Sequence, residues 1–377
     1  MSTMDGIDVP SGRAGRQEGF WTWTHNWLCR CLKDLLELVL KSEQQNLIGA
    51  GSNERSAGRT AWRNGYYDRR LTTPQGLLNV RVPRCRTGGI DCSMVFSRYQ
   101  RRVADVDRIL LHAYLAGVST RATAELAEQV FGGTLSHQTV SQLTRWLDKQ
   151  LAAWRTSPIE PVYKVLFIDG MHVNVQGGDR NVMLVMGLTY DDQKEVLGFA
   201  ANLGEACREL LWDLRKRGLD GVELIVSDEG AAIRSAIAEV FPEVSWQHCT
   251  FHRLQGLWKD VGDKAYRREM VKEASNIFRC PTKLAAVDQA CKWASQWRDC
   301  EPWAVQRFVS DIGDSLMFYS LPKDWWRMVR TNNYLERLIR TLRMRLDNMG
   351  THYNAPAVER AVFGQLARWH LLGTYTQ

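Results

Sequence analysis

Between Val162 and His248 short apolar runs alternate with amphipathic ones, in an order that few folds accommodate. Val162 to Asp169 reads as a buried strand. Val173 to Val175 and Met183 to Tyr190 read as further strands around the turn signal Gly177-Gly178-Asp179, and Val196 to Ala200 as another. Gly204 to Gly218 carries Leu210, Leu211 and Leu214 on one helical face. Val222 to Ser227 is a strand pattern, Ala231 to Val240 a helix, and Val244 to His248 a last strand. The order is three strands, helix, strand, helix, strand, which sets the first and fourth strands side by side. Asp169 and Asp228 close those two strands, where a mixed sheet opens a crevice for chemistry.

A carboxylate at the end of an apolar strand sits where core gives way to cleft, so it can hold a divalent cation without being buried unpaired. A third acid, Glu336, follows Arg330-Thr331-Asn332-Asn333-Tyr334-Leu335 and opens a basic amphipathic helix. Two strand-end aspartates and a glutamate on a facing helix suit a two-metal phosphoryl-transfer site, with cations roughly 4 Å apart. Asp169 would bridge the two ions, and Asp228 and Glu336 would each flank one. Each acid also has an ordinary reading. Asp169 fits an Asp-Gly turn, Asp228 the N-cap of the helix near Ala231, and Glu336 an ion pair with Arg340 one turn on. It is their combination on one topology that favours the metal site.

The rest of the chain is built for a polyanion. Of 377 residues 45% are hydrophobic and 24% charged, as in a globular protein, and the formal charge is +7. Length alone predicts two to four domains. From Glu54 to Arg102 the basic residues are Arg55, Arg59, Arg63, Arg69, Arg70, Arg81, Arg84, Arg86, Arg98, Arg101 and Arg102, opposed by Glu54, Asp68 and Asp91. All are arginine, the side chain that grips phosphate bidentately, although a solvated surface would look similar. This segment, 51–104, holds a strand pair, Tyr66 to Leu71 and Leu77 to Val82, joined by Thr72-Thr73-Pro74-Gln75-Gly76.

Ahead of it, residues 1–50 read as a disordered start to about residue 19, then an amphipathic helix with Leu28, Leu32, Leu35, Leu36 and Val39, packed on its own domain or on a second copy. Residues 105–155 read as a helix-turn-helix-like unit: Asp105 to Ala116 stopped by Gly117, a second helix capped by Thr120, and a third capped by Ser136. The early residues of such a third helix meet DNA, here His137, Gln138, Thr139, Ser141 and Gln142. Residues 160–250 and 326–377 supply the two parts of the core, and 251–325 an all-helical insertion whose tryptophans read as packing anchors ahead of base-stacking platforms. Asn332 and Asn333 are placed to bond DNA or cap the last long helix, and Arg337, Arg340 and Arg343 to grip a backbone along it.

Nine cysteines at irregular spacing fit reduced thiols in a cytosolic protein. Cys29 with Cys31, and Cys85 with Cys92, have no zinc spacing, and Cys249-Thr250-Phe251-His252 shows no second ligand pair. The stretch Trp27 to Leu40 holds Arg30, Lys33, Asp34 and Glu37, which excludes a membrane span or signal peptide there. A protein that works inside the cell is the expectation.

The chain resembles the Mutator-type transposases of bacterial insertion sequences, in the Asp-Asp-Glu group. The resemblance is carried by Arg63-Asn64-Gly65-Tyr66, Val82-Pro83-Arg84, Tyr99-Gln100-Arg101-Arg102, Gly117-Val118-Ser119-Thr120-Arg121, Ile168-Asp169-Gly170 and Ser227-Asp228. The most specific pieces are Trp246-Gln247-His248-Cys249-Thr250-Phe251-His252 and Asn333-Tyr334-Leu335-Glu336-Arg337. It implies an α/β ribonuclease H-like catalytic core with an all-helical insertion, preceded by a mainly helical DNA-binding region. It further implies a triad of Asp169, Asp228 and Glu336, Cys249 and His252 as a family signature, and two Mg²⁺ ions per site, replaceable by Mn²⁺. The partners implied are double-stranded DNA, as terminal inverted repeats and target, and further copies of the chain in a dimer or higher oligomer. A silent DNA-binding regulator or a hydrolysis-only nuclease of the same fold are the alternatives; all three acids being present counts against the regulator, and a separate DNA-binding region against the nuclease.

Overall fold

The structure, a computed structural model, describes residues 3–4, 7–8, 16–86, 94–201 and 206–372. Most of the start expected to be disordered, Cys92 of the Cys85 pair, and Gly204, where a helix was expected to begin, lie outside the described residues. Two compact units emerge: Met1–Tyr114 with Val118–Thr144, and Leu115–Gly117 with Arg145–Gln377. No described helix is long and apolar enough to cross a membrane.

The first unit opens with a two-residue ladder, β1 (Thr3–Met4) and β2 (Ile7–Asp8), then α1 (Arg16–Ile48). This helix starts three residues inside the stretch expected to be disordered. Its Leu32, Leu36 and Leu40 pack on Leu71, Leu78, Val80 and Val82 of a hairpin, so one face of the helix serves its own unit. The hairpin is β3 (Arg63–Thr73) and β4 (Gly76–Cys85). It is longer than the periodicity predicts, and its turn is tighter, because Thr73 pairs directly with Gly76. Three helices follow: α2 (Ala104–Leu115), α3 (Thr120–Phe131) and α4 (His137–Thr144). Val106, Leu110, Ala127 and Phe131 form their core. Ser119, not Thr120, caps α3 by accepting from the Ala122 N–H at 3.2 Å. Gly132, left-handed at φ 68°, ends that helix, and Ser136 caps α4 at the Thr139 N–H.

The second unit begins with α5 (Trp146–Thr156), ahead of the boundary near 155 that the sequence implies. Packing explains the shift: Trp154 stacks on Phe199 at 5.7 Å, and Asp148 takes a bidentate grip from Arg360 with both contacts at 2.7 Å. The sheet comprises β5 (Tyr163–Val175), β6 (Gly178–Thr189), β7 (Lys194–Ala200), β8 (Leu224–Ser227) and β9 (Ser245–His248), in the order β7-β6-β5-β8-β9. The β5–β6 and β6–β7 pairs are antiparallel, and β5–β8 and β8–β9 parallel. Helices α6 (Ala206–Lys216) and α7 (Ala231–Val240) bury Leu210, Leu211, Leu214, Ile233 and Ile237 against Leu166, Ile168 and Ile225.

From Cys249 to Trp325 the regular elements are all helical: α8 (Thr250–Asp260), α9 (Lys264–Ile277), α10 (Lys283–Trp297), α11 (Pro302–Ser310) and two 3₁₀ segments. Trp293 is buried and donates its indole N–H to the Met270 carbonyl at 3.1 Å, while Trp303 stays exposed. A short α12 (Trp326–Val329) leads to α13 (Asn333–Met349) and α14 (Ala355–Arg368). The apolar stripe Leu335, Leu338, Ile339, Leu342 and Leu346 of α13 is buried, and the helix packs against β5.

Candidate active site

Asp169 lies inside a strand, not at the end of one. The two runs expected on either side of Gly170 are a single strand, β5, and Asp169 pairs with Leu184 of β6. The strand that ends is its parallel neighbour. The β5–β8 ladder runs only from Val165–Leu224 to Phe167–Val226, so Asp169 emerges where β8 has stopped and Asp228 begins the next loop. Alternation sends Ile168 into the core under α6 and α7, and turns Asp169 to the opposite face, towards the start of α13.

Each carboxylate is held by its surroundings. Asp169, only 8% exposed, accepts from the Gly170 N–H at 2.8 Å and from the Asn332 side-chain amide at 3.0 Å. A Cβ on Gly170 would stand 2.8 Å from Asn181 Oδ1, so a larger residue there would have to push the Asn181 side chain aside. Asp228 accepts from the Gly230 N–H at 3.2 Å, and Gly230 itself holds the N-cap position of α7. Glu336 sits in the first turn of α13, 4.0 Å from His252 Nε2. Its Oε1 is buried without a hydrogen-bond partner, and so is His252 Nδ1.

The acids sense one another. Burial is the main cause that raises the Asp169 pKa, and the Asp228 charge adds to it, against His252, the Gly170 N–H and Arg343. Burial likewise raises Glu336, with the Asp169 charge adding, against His252 and Arg340. A buried and a half-buried carboxylate that raise each other's pKa, one with an unsatisfied oxygen, are donors that suit a hard divalent cation.

The Cys249–His252 pair gains a third neighbour that spacing did not reveal. One donor atom each from Cys249, His252 and Glu336 lie within 4.8 Å of one another, a trio able to surround a metal ion. In the metal-free chain the sulfur is held as a thiol. Burial pushes Cys249 up to about 12, and its Sγ donates to Asn332 Oδ1 at 2.9 Å. The rest of the motif is structural. Gln247, fully buried, donates to the Val329 carbonyl at 2.9 Å and accepts from the Phe318 N–H at 2.6 Å. Arg253 donates to His248 Nδ1 at 3.2 Å and to the Phe308 and Asp311 carbonyls, both at 3.0 Å. Burial first, then Arg253, holds His248 down at about 3, so it is neutral.

The residues assigned to DNA divide. Arg84, Arg101, His137, Gln138, Asn333, Arg337, Arg340 and Arg343 are exposed, and Thr139 and Ser141 half-buried. Asn332 is not on a DNA-facing surface: it is fully buried between Asp169 and Cys249. Arg63 is committed to its own unit, donating to the Gly51 and Ala50 carbonyls at 2.9 Å each. Arg102 pairs with Asp107 at 2.6 Å. Sequence reasoning missed a groove in the first unit of about 680 Å³, lined by Arg70, Arg98, Tyr99 and Arg101 with Thr139 of α4. Its signal was the local density of arginine, which spans the hairpin and the segment after it.

Comparison with known proteins places the chain in a family. The family model described as "Transposase, Mutator family" matches residues 16–370. The transposase for insertion sequence element ISRM5 of Rhizobium meliloti is 30% identical over 322 residues, 83% of this chain and 80% of that protein. The transposase for element IS256 in transposon Tn4001 of Staphylococcus aureus is 29% identical over 352 residues, 90% and 89% of the two chains. That for element IS1081 of Mycobacterium tuberculosis is 29% identical over 349 residues, 90% and 83%. A match that runs from the first turn of α1 to the end of α14 leaves one assignment: the chain belongs to the Mutator family of transposases.

Proposed function

We propose that this chain is a DNA transposase that binds the terminal inverted repeats of its own element and cuts and joins DNA strands through Asp169, Asp228 and Glu336. The observation that carries the reading is that Asp169 on β5 lies near enough to feel the charges of Asp228, just past β8, and Glu336, on α13, with Glu336 Oε1 buried and unpartnered. The sheet order, with β5 and β8 parallel at its centre, supports reading this unit as a ribonuclease H-like core. The three carboxylates would hold two Mg²⁺ ions, or Mn²⁺ in their place, and these when bound lower the pKa of an attacking water or 3′-hydroxyl and stabilise the leaving oxygen. The protein's own part is positional. Asn332 and Gly170 fix the Asp169 carboxylate, Gly230 fixes Asp228, and His252 offsets the mutual repulsion at Glu336.

Recognition falls to exposed basic surfaces. Helices α2 to α4 have the succession of a helix-turn-helix, and His137 and Gln138 stand exposed in the first turn of the third. Arg337, Arg340 and Arg343 run along the solvent side of α13, on the helix that carries Glu336. Target DNA and a second copy of the chain complete the active assembly, in a bacterial cytoplasm.

The test is to incubate the purified protein with Mg²⁺ and DNA from both flanks of its gene, beside an Asp228→Asn control, and to map new 3′ ends. Nicks at inverted repeats that vanish in the control establish the activity. Binding without cleavage under Mg²⁺ or Mn²⁺ would favour a DNA-binding regulator, and unspecific cutting would favour a nuclease.

A further inference from the structure

The geometry points to Asn332 and Cys249 as a positioning relay for Asp169, in which the Cys249 S–H fixes the Asn332 amide so that its N–H₂ holds the Asp169 carboxylate. The inference rests on the metal-binding role proposed for Asp169. Asn332 Nδ2 donates to Asp169 Oδ2 at 3.0 Å, and Asn332 Oδ1 stands 2.9 Å from Cys249 Sγ. Asn332 and Cys249 have no measurable exposure, so no water competes for either contact.

The orientation of the amide follows from chemistry, not only from distances. Asn332 turns its N–H₂ to Asp169 Oδ2 at 3.0 Å, the pairing a carboxylate that holds a cation would require. That leaves the amide oxygen facing sulfur, and two acceptors cannot be held at that distance. Cys249 must therefore donate, which requires a thiol. A thiolate there, whether free or on a metal, would favour the reversed amide and turn its oxygen on Asp169. The backbone supports the same assignment. Asn332 occupies the N-cap position of α13, yet its side chain makes no cap bond to the helix; its backbone carbonyl accepts from the Glu336 N–H at 2.9 Å. One residue thereby ties Asp169 by its side chain to the turn that carries Glu336. Cys249 is locked in its turn by its N–H, which donates to the Ser227 carbonyl at 2.7 Å, one residue before Asp228. The relay thus touches the backbone or side chain beside all three acids, and is the physical content of the cysteine in the Cys249–His252 signature.

The experiment measures Mn²⁺ affinity by electron paramagnetic resonance on the full chain, with DNA affinity and the metal-free unfolding midpoint alongside. The variants are Cys249→Ala, Cys249→Ser, Asn332→Ala and Asp169→Asn. Removal of outer hydrogen-bond partners typically weakens a metal about 10- to 100-fold, and that loss is expected for Cys249→Ala and Asn332→Ala with DNA affinity kept. Serine retains a donor, so Cys249→Ser should recover most of the affinity. A serine variant as weak as the alanine variant would overturn the relay, because sulfur itself would then be required. So would an Asn332→Ala protein that binds Mn²⁺ like the native chain. If the alanine variants also lose their unfolding midpoint, Cys249→Ser decides by the same comparison. Failure of the underlying site looks different: native and Asp169→Asn proteins would then bind Mn²⁺ alike.

Discussion

The acidic centre of the second unit and the arginine-rich surface of the first carry opposite charge in opposite settings. Asp169 and Glu336 are drawn out of water, and Asp169 is held by hydrogen bonds that leave it few orientations. Arg70, Arg98 and Arg101 stand in solvent around an open groove. Chemistry at a metal needs charges whose position is decided before the substrate arrives, since reorganisation would otherwise add to the barrier. Recognition of a polyanion gains from counterion release, which needs charges that remain hydrated until DNA displaces the ions. Burial is therefore useful at one site and would be wasteful at the other.

The sharpest way to break this contrast is at Asp169. Asp169→Asn keeps the shape and the β5–β6 pairing but removes the charge. The loss of one cation's contribution, several kcal/mol at about 1.4 kcal/mol per tenfold, predicts a fall in strand cleavage of about a thousandfold or more. Inverted-repeat binding, followed by mobility shift, should stay near that of the native protein. A loss of binding of similar size would mean that the acid supports the DNA surface and not the chemistry.

How much of each region was legible follows from the same contrast. The order of strands and helices in the core was readable because a sheet buried by α6 and α7 demands near-continuous apolar runs. Asp169-Gly170 was misplaced at a strand end, since that dipeptide also marks turns, and what stops there is the neighbouring β8. Gly170 packs closely on the Asn181 side chain. The sequence reads Asn332 as a DNA contact or a helix cap, and it does stand at the N-cap of α13, but its side chain turns to Asp169 and Cys249. Its partners lie 163 and 83 residues away in the chain, and no local pattern reports contacts of that separation. In the arginine-rich segment, counting charge said nothing about which guanidinium groups serve the fold. Arg63, Arg69 and Arg102 bond to their own unit, whereas Arg98 and Arg101 are exposed.

That division sharpens into a paired measurement. Replacing Arg98 and Arg101 together by alanine should weaken DNA binding and reduce the slope of log affinity against log salt by about 2, one unit per lost phosphate contact. Arg63→Ala should do the reverse. It should leave the slope unchanged and lower the stability of the first unit by about 1.5–3 kcal/mol, because a charged donor group shared by two carbonyls is lost. Denaturant melts and salt titrations of the same two proteins separate the effects, and an unaltered slope for the double variant would remove that groove from the DNA footprint.

The smallest effect is also the one whose sign discriminates best. Burial and the Asp169 charge raise the Glu336 pKa in the folded chain above its ordinary value. Below the ordinary carboxylate range Glu336 is protonated in both folded and unfolded chains, so it costs the fold nothing. As pH rises from that ordinary value through the raised one, the unfolded chain ionises first and the folded chain loses stability relative to it. Glu336→Gln removes that charge. In metal-free buffer the variant should be more stable than the native protein at neutral pH, and the advantage should shrink to nothing as the solution is acidified. Mg²⁺ should reverse the ranking, since a cation bound to the folded native chain stabilises it by mass action and the glutamine variant offers it a weaker site. Thermal melts at several pH values, with and without Mg²⁺, read both signs. If Glu336 were an ordinary helix ion-pair partner of Arg340, its loss would destabilise the metal-free protein at neutral pH and Mg²⁺ would change nothing.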